Sequence, residues 1–342
     1  MTYLFIGGTG NISKYITKKL LERGDTVYLV NRGNRNDNLA GDVRYITADI
    51  NTEAGVETVR EYIKDMRFDA VADFIVFTAA QAERDFNLFN GKTRQYLTFS
   101  SASVYQTPPV SPWITEATPL RNPLWLYSRN KIEVEEFFMK KHRECAFPIT
   151  MIRPSHTYGE TYLPLAVDGK NGYSVVKRML EGKPVIVPGD GTSLWVLTHS
   201  SDFAKGFVGL LNNVHAIGET YHITTDELVT WDQVYRVVAD TLGVEAKLVH
   251  VSSEFLAETR PNSGMLGSLL GDKSNSVIFD NTKLKRVVPD FLCTKRMDQG
   301  IAESVRYMMS HPETQIEDPE FDDYCDRVIA ALEKAKAEIL GE

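Results

Sequence analysis

Cysteine is scarce in this chain: Cys145, Cys293 and Cys325 are the only three in 342 residues, far apart and with no CxxC pair. That spacing suggests neither a disulfide framework nor a zinc site, and it suits a reducing cytoplasm. No stretch has the ~18 uninterrupted apolar residues of a membrane helix. The opening "TYLFIGG" is too short and too weakly flanked for a signal peptide, so a soluble cytoplasmic protein is expected. Long basic runs are missing as well. With 46 acidic against 38 basic side chains and a formal charge of −8, non-specific nucleic-acid binding through a cationic face is disfavoured. No His/Asp/Glu spacing suggests a metal, and there is no internal repeat or low-complexity segment. What remains is a 43% apolar chain, long enough for one large domain or two ordinary ones.

From residue 2 to about 155, β-rich runs such as "TYLFIG", "TVYLV", "DAVADFIVF" and "RQYLTFS" alternate with helix-length amphipathic segments at 11–23, 53–66, 80–89 and 125–143. Alternation of this kind predicts a parallel sheet with helices on both faces. After residue 160 Gly and Pro punctuate short strands, with helices near 173–181, 200–212 and 230–242 and a helical tail over 296–340. The expected organisation is α/β: a doubly wound Rossmann-type domain over 1–160, to which some later segments return, and a smaller α/β substrate lobe with C-terminal helices over 161–342.

"IGGTGNIS" follows the first strand and opens the first helix. In that position Gly7 and Gly10 permit a tight turn and the close approach of backbone N–H groups to a pyrophosphate, aided by the helix amino end. Ser13 stands where a third glycine is usual, and it is small enough for close packing. A carboxylate ending the second strand would select NAD; here "LVNRGNR" supplies Asn31 and Arg32, with Arg35 nearby, which leans toward NADP. Arg32 stacking on adenine is the alternative. Asp49, after the third strand, could accept from the adenine amino group or cap the helix beginning near Thr52.

Tyr127 precedes Lys131 by four residues in "LYSRNK", but so does Tyr15 precede Lys19 in "KYITKK". Only Tyr127 follows a serine-bearing strand end, "YLTFSSASVY". With the glycine turn, these segments and "RPSHTYG", "GDG", "HSSDFA" and "TTDELVTWDQV" make the chain resemble the extended short-chain dehydrogenase/reductases, in their NAD-dependent epimerase/dehydratase branch. The resemblance implies Ser101, Tyr127 and Lys131 as the catalytic set. A phenol of pKa about 10 needs a downward shift of roughly three units to work near neutrality, and a neighbouring ammonium supplies that field. Implied cofactor contacts come from Gly7, Gly10, Asn11, Ile12, Asn31, Arg32, Asp49, Ile75, Pro154 and Ser155. The reaction expected is reversible oxidation of a secondary alcohol on a sugar-like substrate, with NAD(P) as cofactor.

Departures from the family narrow that reading. Ala102 and Ser103 replace the acid and base of the 4,6-dehydratases, which leaves epimerisation or simple oxidoreduction. Trp195 stands where nucleotide-sugar binders carry a diphosphate-binding Arg, so it is either a stacking platform for substrate or a core residue. His156 is either a substrate contact or a hydrogen-bonded structural histidine. Asp202 is expected to cap the helix that follows it. The resemblance implies a homodimer, yet the segment before "RQYLTFSS" is short and lacks the Asn-bearing helix that often forms its interface. "DFIVF" and "NRG" are similar to the atypical branch containing the chloroplast stem-loop RNA-binding proteins. A non-catalytic dinucleotide sensor or RNA binder is therefore the alternative to an enzyme.

Overall fold

A computed structural model describes residues 1–33 and 39–341. The chain forms two compact units, one of Met1–Thr157, Val196–Asp226 and Val277–Lys295, the other of Tyr158–Trp195, Glu227–Ser276 and Arg296–Glu342. The first unit is built on seven strands: β1 (Thr2–Ile6), β2 (Thr26–Asn31), β3 (Val43–Thr47), β4 (Ala70–Asp73), β5 (Tyr96–Phe99), β6 (Ile149–Pro154) and β7 (Glu219–Ile223). Their order is β7-β6-β5-β4-β1-β2-β3 and every neighbouring pair is parallel. This is the doubly wound order, reversing direction between β1 and β4, where the open crevice of such sheets takes its ligand.

Side-chain alternation along the strands feeds two cores. Tyr3, Phe5, Val27, Leu29, Ala72 and Leu97 pack on one face with Ile16 and Leu20 of α1 (Ser13–Glu22) and with Phe203 and Phe207. Leu4, Ile6, Val30, Val71 and Tyr96 face the other way. They meet Val59 of α2 (Glu53–Tyr62), Ala82 and Phe89 of α3 (Ala79–Phe89), and Val134 and Phe138 of α4 (Leu126–Cys145). Strands buried on both faces need apolar residues at successive positions, which is why "YLFI" and "TVYLV" read as continuous apolar runs. The late strand β7 belongs here because its backbone completes the edge beside β6, from Glu219 opposite Thr150 to Ile223 opposite Pro154.

The second unit is mainly helical, with helices Tyr173–Leu180, Trp231–Leu242, Met297–Ser310 and Pro319–Leu340. Two short strands, Val185–Pro188 and Leu248–Val251, pair in parallel. Thr230 and Gln233 form a capping box at the start of Trp231–Leu242, and Gly243 closes that helix in the left-handed conformation.

Candidate active site

The glycine turn lies between β1 and α1. Gly7 has φ +79°, and a Cβ there would stand 2.9 Å from Cγ2 of Ile75, so only glycine fits without displacing the wall of the crevice. Ser13 does more than save space: its Oγ donates to the Gly7 carbonyl at 2.7 Å and accepts from the Gly10 N–H at 2.8 Å. Among the described residues helix α1 has no side-chain cap at Ile12, and its first turn has no acid, an arrangement that favours an anion at its positive end. Asn11 uses its amide to donate to the Thr157 carbonyl at 3.1 Å, tying the turn to the segment after β6.

A cleft of about 370 Å³ opens beside this turn, lined among others by Gly7, Gly10, Asn31, Arg32, Asp49 and Ile75. Those six are sequence-derived candidates; Asn51, Phe77 and Gln81 line it too and carried no motif that would single them out. The Asn31 side chain accepts from the Gly33 N–H at 3.0 Å, and Arg32 is exposed. Arg35 lies outside the described residues. Asp49 does not cap α2, because Thr52 holds that place and accepts from the Gly55 N–H at 3.1 Å. Asp49 instead accepts from the Asn51 N–H at 3.0 Å. A Cβ on Gly55 would lie 1.9 Å from the Asp49 carbonyl oxygen, so glycine lets α2 pack directly behind the cleft.

Tyr127 sits in the first turn of α4, half-buried, with the Trp125 ring 4.9 Å and the Phe77 ring 6.3 Å from its own. One turn on, Lys131 is 1% exposed, and its Nζ donates to the carbonyls of Val76 and Phe99, both at 2.6 Å. Burial pulls its pKa down from 10.5 to about 8, with Asp73 and Glu135 opposing the shift. Its ammonium lies 5.7 Å from the Tyr127 ring centre. The other pair of equal spacing differs: Lys19 is exposed, and Tyr15 packs edge-on to His199. Ser101 ends the β5 segment, and its Oγ lies 2.9 Å from that of Ser103.

Beneath this wall, Arg84 bridges two buried carboxylates, Asp73 at 3.0 Å and Asp85 at 2.7 Å, while the Tyr96 hydroxyl donates to Asp85 at 2.6 Å. Burial, then the neighbouring Asp85 charge, pushes the Asp73 carboxyl well above the usual carboxylate range. Asp73 accepts from the Ile75 N–H at 2.6 Å, which fixes the strand end against Gly7.

The remaining candidates distribute differently. Pro154 closes β6, and Ser155 and His156 follow it, half-buried. Trp195, in the second unit, is 2% exposed and packs against Trp231 with ring centres 5.7 Å apart, the arrangement of a core residue. Asp202 is not the helix cap. His199 occupies that position and accepts from the Ser201 N–H, whereas Asp202 accepts from the N–H groups of Thr294 and Lys295 at 2.9 and 2.8 Å. Among the described residues no cluster of His, Cys, Asp and Glu could hold a metal ion, and no helix is long and apolar enough to cross a membrane.

A glycine turn beneath an uncapped helix, a cleft at the reversal of strand order, and a buried Lys one turn from a Tyr define a short-chain dehydrogenase/reductase with a Rossmann fold. The chain belongs to the NAD dependent epimerase/dehydratase family, whose model matches residues 3–224. It is 27% identical over 258 residues to the chloroplast stem-loop binding protein of 41 kDa b of Arabidopsis thaliana, covering 72% of this chain and 65% of that relative, slightly less than two thirds of its length. It is 25% identical to the 2′-dehydrokanamycin reductase of Streptomyces kanamyceticus, over 84% of this chain and 79% of that protein. The UDP-glucuronic acid 4-epimerase of Bacillus cereus, in complex with NAD, shares the fold with a TM-score of 0.71 at 19% identity, over 91% of this chain and 99% of that one.

Proposed function

We propose that this oxidoreductase interconverts a secondary alcohol and a ketone on a sugar-like substrate, with Tyr127 as proton donor and acceptor. The observation that carries the reading is the buried ammonium of Lys131 held 5.7 Å from the Tyr127 ring. A pKa of about 8 keeps that ammonium largely charged at neutrality, where it stabilises a phenolate. Two of its three N–H bonds are taken by the Val76 and Phe99 carbonyls, which fixes the ammonium one turn from Tyr127.

The residues fit a nicotinamide dinucleotide: the Gly7–Ser13 turn would take the pyrophosphate, Asn31, Arg32 and Asp49 the adenosine, and Ile75, Pro154 and Ser155 the nicotinamide side. When bound, that group supplies the hydride acceptor or donor. Ser101 orients the substrate oxygen, Tyr127 exchanges its proton, and His156 is assigned to substrate hydroxyls. The neutral Asn31 beside Arg32 favours NADP over NAD. Support for a sugar-like substrate comes from relatives named for a dehydrokanamycin reductase and for UDP-glucose epimerases. Ala102 and Ser103 offer no acid and base for dehydration.

Turnover of a panel of sugars and UDP-sugars with NADH and NADPH tests the reading. Tyr127→Phe should lower kcat by about 10²–10⁴, the contribution of a positioned acid/base, while cofactor binding persists. Full turnover in that variant would refute the mechanism. The stem-loop-binding relative motivates a second reading, RNA binding; salt-sensitive retention of RNA with no turnover across the panel would favour it.

A further inference from the structure

Behind Ser101 runs a chain of buried polar groups that the reaction above does not use. Ser101 Oγ lies 2.9 Å from Ser103 Oγ, and Ser103 Oγ lies 2.7 Å from Ser128 Oγ, the residue after Tyr127. Asn122 Nδ2 stands 3.3 Å from Ser128 Oγ and donates to the Ser103 carbonyl at 2.8 Å. The Asn122 carbonyl oxygen accepts from the Leu124 N–H at 3.2 Å, which fixes the amide orientation. Asn122, Ser103 and Ser128 are 2%, 5% and 0% exposed.

This arrangement can be ordered by donor and acceptor counting. An amide nitrogen only donates, so Ser128 Oγ accepts from Asn122. If Ser103 also donated to Ser128, the fully buried Ser128 proton would lose its acceptor in the chain, at a cost of about 1–3 kcal/mol. Ser128 therefore donates to Ser103, and Ser103 donates to Ser101. Ser101 Oγ also accepts from the Ser103 N–H at 3.2 Å, so both its acceptor sites are filled from the protein side. Its own proton is left to point outward.

We infer that Asn122, Ser128 and Ser103 are positioning residues that fix Ser101 as an obligate hydrogen-bond donor to the substrate oxygen. This rests on the assignment of Ser101 and Tyr127 made above. The consequence is a division of labour: an alcohol oxygen that accepts from Ser101 must offer its proton to Tyr127, and a ketone oxygen meets two donors. The chain ends on an amide, which cannot pass a proton on, so it orders the site without draining protons from it.

Neutron diffraction from deuterated crystals of the full chain reads the order directly, without a substrate. The Ser128 deuteron should lie toward Ser103, the Ser103 deuteron toward Ser101, and the Ser101 deuteron away from both. A Ser101 deuteron directed at Ser103 would overturn the inference and leave the function untouched. With a substrate in hand, Ser103→Ala should lower kcat about tenfold with KM and NADPH binding within twofold, and Ser103→Thr should restore it. Asn122→Asp, which turns the terminal donor into an acceptor, should approach the loss in Ser101→Ala, about 10²-fold for a missing oxyanion donor. If Tyr127→Phe and Ser101→Ala are inactive while Ser103→Ala and Asn122→Asp keep wild-type kcat, the inference fails and the function stands. If Tyr127→Phe is fully active, the function fails instead.

Discussion

Lys131 holds its ammonium 4.4 Å from the centre of the Phe77 ring. Phe77 is 43% exposed and lines the cleft, so the charge is roofed by an aromatic face on the side of the cleft. Such a contact favours the charged form and adds to the two carbonyl acceptors, while burial works against it.

That balance gives a pH prediction. Lys131 should be charged below about 8 and neutral above it. The advantage of wild type over Lys131→Met in turnover, set at about 10²-fold or more near pH 7, should shrink as pH rises through 8. Stability should move the other way. Between pH 8 and 10.5 the unfolded chain binds more protons at this site than the folded one, so its contribution to stability rises with pH in that window. Thermal melting of both proteins between pH 7 and 10.5 checks the sign.

Ser13→Ala should loosen the glycine turn, because one hydroxyl serves both the Gly7 carbonyl and the Gly10 N–H. Two hydrogen bonds of about 0.5–1.5 kcal/mol each are lost. Urea denaturation should show a loss of about 1–3 kcal/mol, and NADPH titration a weakening of several-fold or more.

Arg84→Met should cost far more. It strands Asp73 and Asp85, both buried, without their shared cation, and breaking a buried pair costs about 3–5 kcal/mol. Adding Asp85→Asn to that variant should recover part of the loss, since one uncompensated charge is removed. The same denaturation series measures both.

Arg32→Ala tests the cofactor preference. Loss of about tenfold or more in NADPH affinity with NADH affinity nearly unchanged is the outcome expected of a 2′-phosphate contact. Equal losses for the two would point to stacking on adenine.

Much of the first unit was readable from residue order. Strand-like runs alternating with amphipathic segments placed α1 to α4 within a few residues, because each element must bury its apolar face on the sheet it follows. The caps were less readable. Asp49 and Asp202 each have the chemistry of a cap, but Thr52 and His199 stand at the boundary where backbone N–H groups are exposed, and position decides the matter. Trp195 was ambiguous for a related reason: an indole is equally suited to a ligand and to a core, and its packing on Trp231 is a contact 36 residues away in sequence that no local pattern announces.

The class of protein was legible in residue order: a glycine turn after a first strand, and a Ser strand end followed by the Tyr127 and Lys131 helix, form an ordered set whose sequence along the chain, more than any one spacing, carries the chemistry. Residue order already separated Lys131 from Lys19, because only Tyr127 follows a serine-bearing strand end; folding supplied the physical difference between the two ammonium groups. Both follow a tyrosine by four residues, but β4 and β5 bring the Val76 and Phe99 carbonyls to one ammonium and leave the other in water. The hydroxyl chain is of the same kind. Ser103, Asn122 and Ser128 are spread over 26 residues and meet because the 3₁₀ turn after β5 and the start of α4 converge, so desolvation and donor counting act on them only once the chain is folded.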